Sequence, residues 1–164
     1  MDYVIKNGTK IEGLSGASDS DVTVTGMVGE YIITVVAVNG NDKMATETTF
    51  TGLKWESIGI GMLSSSFFGG EGECEFYKAS PVLKYKAIGP FEEGYDIVFD
   101  VADNNSVTVA QQAVYSSYGS YGTLYVSGNG ALQSNKITVN LTFRVSAGVF
   151  GAFTETFILP VTEP

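Results

Sequence analysis

The chain has 164 residues, a formal charge of −9 and an isoelectric point near 4.3, with no histidine and a single cysteine. Without histidine, neither a Ser-His-Asp nor a Cys-His nucleophile arrangement can be built, and the usual zinc sites are excluded with them. Nine Lys and Arg against 18 Asp and Glu leave too little positive charge to neutralise phosphates, so no nucleic-acid partner is expected.

Val, Ile and Thr contribute 43 residues against 19 for Ala and Leu, and 20 glycines and 15 serines supply turns. That balance favours strands over helices, and the expected fold is all-β. In chain order, Tyr3-Val4-Ile5-Lys6 and Thr9-Lys10-Ile11-Glu12 flank Asn7-Gly8, the dipeptide of a tight hairpin turn. Residues 13–20 read as loop and residues 21–25 as a short strand. Residues 31–38 form an apolar run suited to a central strand, and Asn39-Gly40-Asn41-Asp42 turns it into a polar strand over 43–51. The G-E-Y-x-I-T-V-x-A-x-N pattern of residues 29–39, followed by a Thr-rich strand, resembles the end of many immunoglobulin-like modules. A domain boundary is expected near Gly52-Leu53-Lys54-Trp55.

Residues 57–72 are rich in Gly and Ser but carry Met62, Leu63, Phe67 and Phe68, which suit a core better than a disordered linker. Short strands follow at 73–78 and 83–88, separated by Pro81, then a turn at 90–94 and strands at 95–101 and 106–109. The run YSSYGSYG at 115–122 reads as a flexible aromatic loop, with a strand at 123–127 and a Gly128-Asn129-Gly130 turn after it. From 137 to 146 the alternation is strict. Ile137, Val139, Leu141, Phe143 and Val145 face one side; Thr138, Asn140, Thr142 and Arg144 face the other. A last strand spans 152–159. The expected architecture is an immunoglobulin-like module over 1–52, with few strands for a full sandwich, and an antiparallel β-sandwich or partly closed barrel over 53–164.

Acidic turns at Asp19-Ser20-Asp21 and at Asp100, Asp103, Asn104 and Asn105 offer oxygens of the kind Ca²⁺ takes, but neither has the spacing of a calcium loop. They read as turn residues, and no metal or cofactor is expected. Glu92-Glu93 and Glu71, Glu73 and Glu75 supply paired carboxylates, yet neighbours in a turn point to water, so no catalytic residue is assigned. Cys74, between Glu73 and Glu75, reads as a small strand residue with a raised thiol pKa. The aromatic side chains Tyr115, Tyr118, Tyr121 and Tyr125, with Trp55, Phe67 and Phe68, lie in or beside Gly/Ser-rich segments. They are the candidate ligand-binding residues, because an aromatic face with a polar edge stacks on sugar rings and protein partners; packing onto their own sheet is the alternative.

Taken together, YVIKNGTKIEG (3–13), GEYIITVVAVN (29–39), KWESIGIGMLSSSFF (54–68), YDIVFDVADNNSVTVAQQ (95–112), YGTLYVSGNG (121–130) and KITVNLTFRVSAGVFGAFTETFIL (136–159) resemble a family of Bacteroides-type exported lipoproteins of unknown function. In these, an immunoglobulin-like or PKD-like module precedes a second all-β domain that begins at a W-x-S-x-G-x-G segment. The resemblance implies a mature protein at the outer membrane or cell surface, held to the membrane only by an N-terminal lipidated cysteine. Cys74 is not that cysteine, because it follows Glu-Gly-Glu rather than a small-apolar lipobox. The resemblance further implies a non-enzymatic role in a glycan-utilisation system, with a polysaccharide or a surface-protein partner bound through the aromatic loops. The alternative is a structural or adhesive module that pairs through its long outer strands, residues 43–51 and 137–146.

Overall fold

The structure is a computed structural model that describes residues 3–6, 9–10, 28–39 and 41–161. Among these the chain is all-β, with antiparallel sheets and a single turn of 3-10 helix at Gly119–Tyr121. It divides into two compact units, Met1–Lys54 and Trp55–Pro164.

The first unit contains β1 (Tyr3–Lys6), β2 (Thr9–Lys10), β3 (Gly29–Asn39) and β4 (Asp42–Gly52), in the sheet order β2-β1-β3-β4. β1 and β2 pair as Ile5↔Lys10 and Lys6↔Thr9, the register that a two-residue hairpin connection dictates. β3 and β4 pair over their whole length, from Gly29↔Gly52 to Asn39↔Asp42. On β3, Tyr31 and Thr34 are buried, and the Tyr31 hydroxyl donates to the Val28 carbonyl and accepts from its N–H. The loop expected at 13–20 and the strand expected at 21–25 lie outside the described residues.

The second unit contains β5 (Lys54–Ser65), β6 (Gly70–Ser80), β7 (Lys84–Ala87), β8 (Ile97–Val101), β9 (Ser106–Tyr115), β10 (Leu124–Gln133), β11 (Lys136–Val145) and β12 (Gly148–Ile158). Each strand pairs with its neighbour in sequence, and β12 returns to β5 through Glu155↔Ser65 to Ile158↔Met62. The result is a closed eight-stranded barrel. Seven of the eight neighbour pairs are antiparallel by their registers. A ring of eight with seven antiparallel joints must alternate throughout, so β5 and β6 run antiparallel too. The barrel is therefore up-and-down, and closure leaves no strand edge in it.

Alternation along the strands sets inside from outside. On β11 the five residues Ile137, Val139, Leu141, Phe143 and Val145 are buried, while Lys136, Asn140 and Arg144 are exposed. Phe76, Phe99, Phe143 and Phe157 are fully buried, and they fill an eight-stranded barrel, whose interior is only wide enough for side chains. Each contributes about 1.5–3 kcal/mol by leaving water. Membrane-spanning barrels carry the reverse pattern, apolar outside and polar inside. Here the outward row of β11 is Lys, Thr, Asn, Thr, Arg, while Ile60 and Met62 of β5 and Ile158 of β12 are also exposed. No helix among the described residues is long and apolar enough to cross a membrane.

One sequence expectation gives way, and one segment to which the sequence assigns no element is found in strands. Residues 57–72 are mostly strand, because β5 runs to Ser65 and β6 starts at Gly70. Glycine and serine hid the alternation: Gly61 takes an inward place in the row that continues with Leu63 and Ser65. Likewise Gly128-Asn129-Gly130 is the middle of β10 rather than a turn. At Gly128 a Cβ would lie 2.1 Å from the Asn140 carbonyl oxygen, and at Gly130 2.0 Å from that of Thr138. β11 approaches so closely that only glycine fits.

Candidate functional site

Because the strands alternate, the connections 66–69, 88–96, 116–123 and 146–147 gather at one end of the barrel. Phe67 closes that end. Its ring stacks on Phe143 at 4.0 Å with an interplanar angle of 6°, meets Phe153 edge-on at 5.0 Å and Phe68 at 4.9 Å, and packs on Tyr118 at 5.6 Å. Phe68 in turn lies 4.8 Å from Phe91 and 5.9 Å from Tyr115. Four of the seven candidate aromatics, Phe67, Phe68, Tyr115 and Tyr118, thus belong to one stopper over the core. The loop expected to be flexible at 115–122 is tied down by Glu92, whose carboxylate accepts the Ser116 N–H and, at 2.8 Å, its hydroxyl. Tyr118 N–H also donates to the Gly122 carbonyl at 2.8 Å.

Beneath the stopper sits a group that the sequence reading missed. Glu155 is fully buried, between the inward positions of Phe153 and Phe157. Its Oε1 accepts the Phe67 N–H at 3.0 Å, whereas Oε2 has no hydrogen-bond partner. Burial raises its pKa above the ordinary glutamate value, against the opposing hydrogen bonds from the Ser65 hydroxyl and the Phe67 and Ser66 backbone. The signal was available: residues 153, 155, 157 and 159 form one row in which only Glu155 is polar. Cys74, also buried, has its thiol pushed up to about 11, first by burial and then by the charges of Asp96 and Glu75.

Of the other three aromatics, Tyr121 reaches the stopper only through Phe150, which lies 5.7 Å from Phe67 and 5.4 Å from Tyr118. Trp55 lies on the outside of β5 with the Lys86 ammonium 4.9 Å from its ring centroid, and the same ammonium is 5.3 Å from the Tyr77 ring. Tyr121 is 53% exposed and meets Phe150 edge-on at 5.8 Å. Tyr125 sits outside β10, opposite Arg144 of β11, and Arg144 is opposite Val149 of β12. Two concavities flank the β11–β12 turn. One, of about 360 Å³, is lined by Gln111, Tyr125, Arg144, Ser146, Gly148 and Val149 among others. The second, of about 140 Å³, is lined by Tyr121, Phe150, Val149 and the same turn.

Irregularities in the ladder shape both. Between Val126↔Gln112 and Gly128↔Val109 the register shifts by one residue of β9, and both Ala110 and Gln111 become exposed. Unbroken alternation from Val107 and Val109 would have turned Gln111 inward; the bulge aims it outward, where its Oε1 accepts from Arg144 Nη1 at 3.0 Å. Gln112 then supplies what the ladder lacks. Its amide accepts the Val98 N–H at 2.9 Å and donates to the Val98 carbonyl at 3.1 Å, linking β8 to β9 as a peptide would. A second shift, between Phe143↔Gly151 and Arg144↔Val149, displaces Phe150.

Three of the acidic residues considered for chemistry have local partners: Glu92 as above, Glu75 accepting the Ser57 hydroxyl at 2.9 Å, and Asp100 paired with Lys84; Asp19 and Asp21 lie outside the described residues. Among the described residues no group of three or more Cys, Asp or Glu side chains converges to hold a metal ion. Compared with family models, curated proteins and solved structures, the chain matches none of them.

Proposed function

We propose that this protein is a non-enzymatic, exported surface protein that binds carbohydrate, or a partner of a glycan-utilisation system, at the β11–β12 end of its barrel. The observation that carries this reading is the pair of concavities flanking that turn, each with an aromatic ring beside polar or backbone groups. Sugars are recognised by such combinations of an apolar face and hydrogen-bonding groups. Of the seven aromatics, Tyr121 and Tyr125 line these hollows, which makes them the contact residues of the proposal. Export, a lipid anchor and an immunoglobulin-like identity for the first unit rest on the sequence resemblance; the described strands of that unit form one sheet, while such a sandwich needs about seven strands.

Affinity gels and a glycan array test the reading. We expect retention by at least one polysaccharide, weakened roughly five- to tenfold in Tyr121→Ala or Tyr125→Ala, the scale of one aromatic contact. No retention by any glycan, together with unaltered behaviour of both variants, overturns it.

One feature favours the adhesive alternative for the first unit. β4 borders β3 alone among the described residues, and Met44 and Phe50 along it are 80% and 48% exposed. Such an edge suits strand addition. β11 does not, because β10 and β12 already occupy both its sides.

A further inference from the structure

Resting on the carbohydrate reading above, we propose that the Gln111–Tyr125–Arg144 hollow takes an acidic sugar, a uronate residue of a polysaccharide, with its carboxylate on Arg144. Arg144 is the only arginine in a chain of net charge −9. Two ion pairs of the barrel use Lys84 with Asp100 and Lys86 with Asp96; among the described residues Arg144 pairs with no carboxylate. Its position is enforced by structure. Tyr125 stands opposite it on β10, Val149 opposite it on β12, and the β9 bulge brings Gln111 to its Nη1.

The donor and acceptor balance of the hollow defines the ligand. Guanidinium presents five N–H donors and no acceptor, and Gln111 Oε1 engages one nitrogen while the Gln111 NH₂ remains a further donor. The set is donor-rich and positively charged, so it calls for an anionic acceptor. A planar carboxylate matches the guanidinium fork with two parallel hydrogen bonds. Beside it, the Tyr125 ring offers the apolar face on which a pyranose ring lies, and its hydroxyl both donates and accepts. A volume of about 360 Å³ is at the low end of ligand sites and suits one or two sugar rings rather than a long groove. The net negative charge does not prevent this, because repulsion from distant carboxylates is screened beyond about 8 Å in physiological salt, whereas the Arg144 contact is direct.

The test uses the full chain in affinity gels containing polygalacturonate, the same polymer with its carboxylates methyl-esterified, or a neutral β-glucan. Retention by polygalacturonate that falls roughly 10- to 100-fold on esterification, and equally in Arg144→Gln, supports the inference; that is the scale of a hydrogen bond to a charged group. Arg144 is exposed, so the variant should keep the parent melting temperature, and Arg144→Lys should recover only part of the binding. Equal retention by acidic and esterified polymer, retention by the neutral glucan alone, or undiminished binding in Arg144→Gln overturns the uronate assignment and leaves the carbohydrate reading standing. Retention by none of the three polymers overturns the uronate assignment, and absence of binding across a wider array overturns both.

Discussion

A carboxyl group at position 155 stands where alternation along β12 calls for an apolar side chain, with the Phe67 N–H on one oxygen and nothing on the other. Its folded pKa lies above the unfolded one, so between the two values the folded state holds more protons and stability falls as pH rises. The contribution of the protonated group is complete below the ordinary glutamate range and is lost as pH climbs through the raised value. Glu155→Gln keeps the side-chain oxygen for Phe67 and removes the ionisation. We expect the variant to match the parent near pH 4 and to exceed it by about 1–2 kcal/mol at pH 8, the cost scale of a poorly satisfied buried polar group. Thermal melts at several pH values check this. A difference in melting temperature that stays flat with pH would show that Glu155 reaches water when ionised.

At the scale of single strands, β10 and β11 show how far sequence reading extends. The register of β11 was legible because five apolar residues alternate with polar ones, and slipping by one place would expose them all. β10 was legible only to Ser127, since glycines at 128 and 130 are turn residues by any local rule. Their true cause is non-local, the carbonyl oxygens of Asn140 and Thr138 on the next strand. β5 was lost for the same reason at Gly61, where a Cβ would lie 2.0 Å from the Ile158 oxygen. The aromatic candidates failed to separate in sequence because stopper and rim alternate along one loop: Tyr118 packs on Phe67 while Tyr121 faces solvent. Arg144 and Gln111 could not be joined at all without the bulge. These contacts make Gly130→Ala costly, by about 3 kcal/mol, because backbone rather than a yielding side chain stands in the way. Gly148→Ala, with open space around its Cβ, should cost less than about 0.5 kcal/mol. Urea titration of the two variants decides; equal losses would mean that β10 and β11 can part without penalty.

For the whole molecule the decisive feature is closure. All eight strands of the ring lie within residues 54–158, the last pairs with the first, and the buried core residues of the ring come from residues 63–159. Nothing in the ring is supplied by β1 to β4. A fragment of residues 54–164 should therefore fold alone, and the sole tryptophan, Trp55, provides the readout, because it lies within the barrel unit under Lys86. Its fluorescence in urea should give the same midpoint in the fragment as in the full chain, to within the ~10–15% expected of such measurements. Ending the chain at residue 147 should have the opposite outcome. It removes β12, opens the ring at β5 and β11, and takes Phe157 from the centre of the core, a loss on the order of 3–5 kcal/mol for that side chain alone. Such a fragment should show no cooperative transition. If the barrel fragment lacked one as well, its stability would depend on the first unit, and closure would not be what holds the fold.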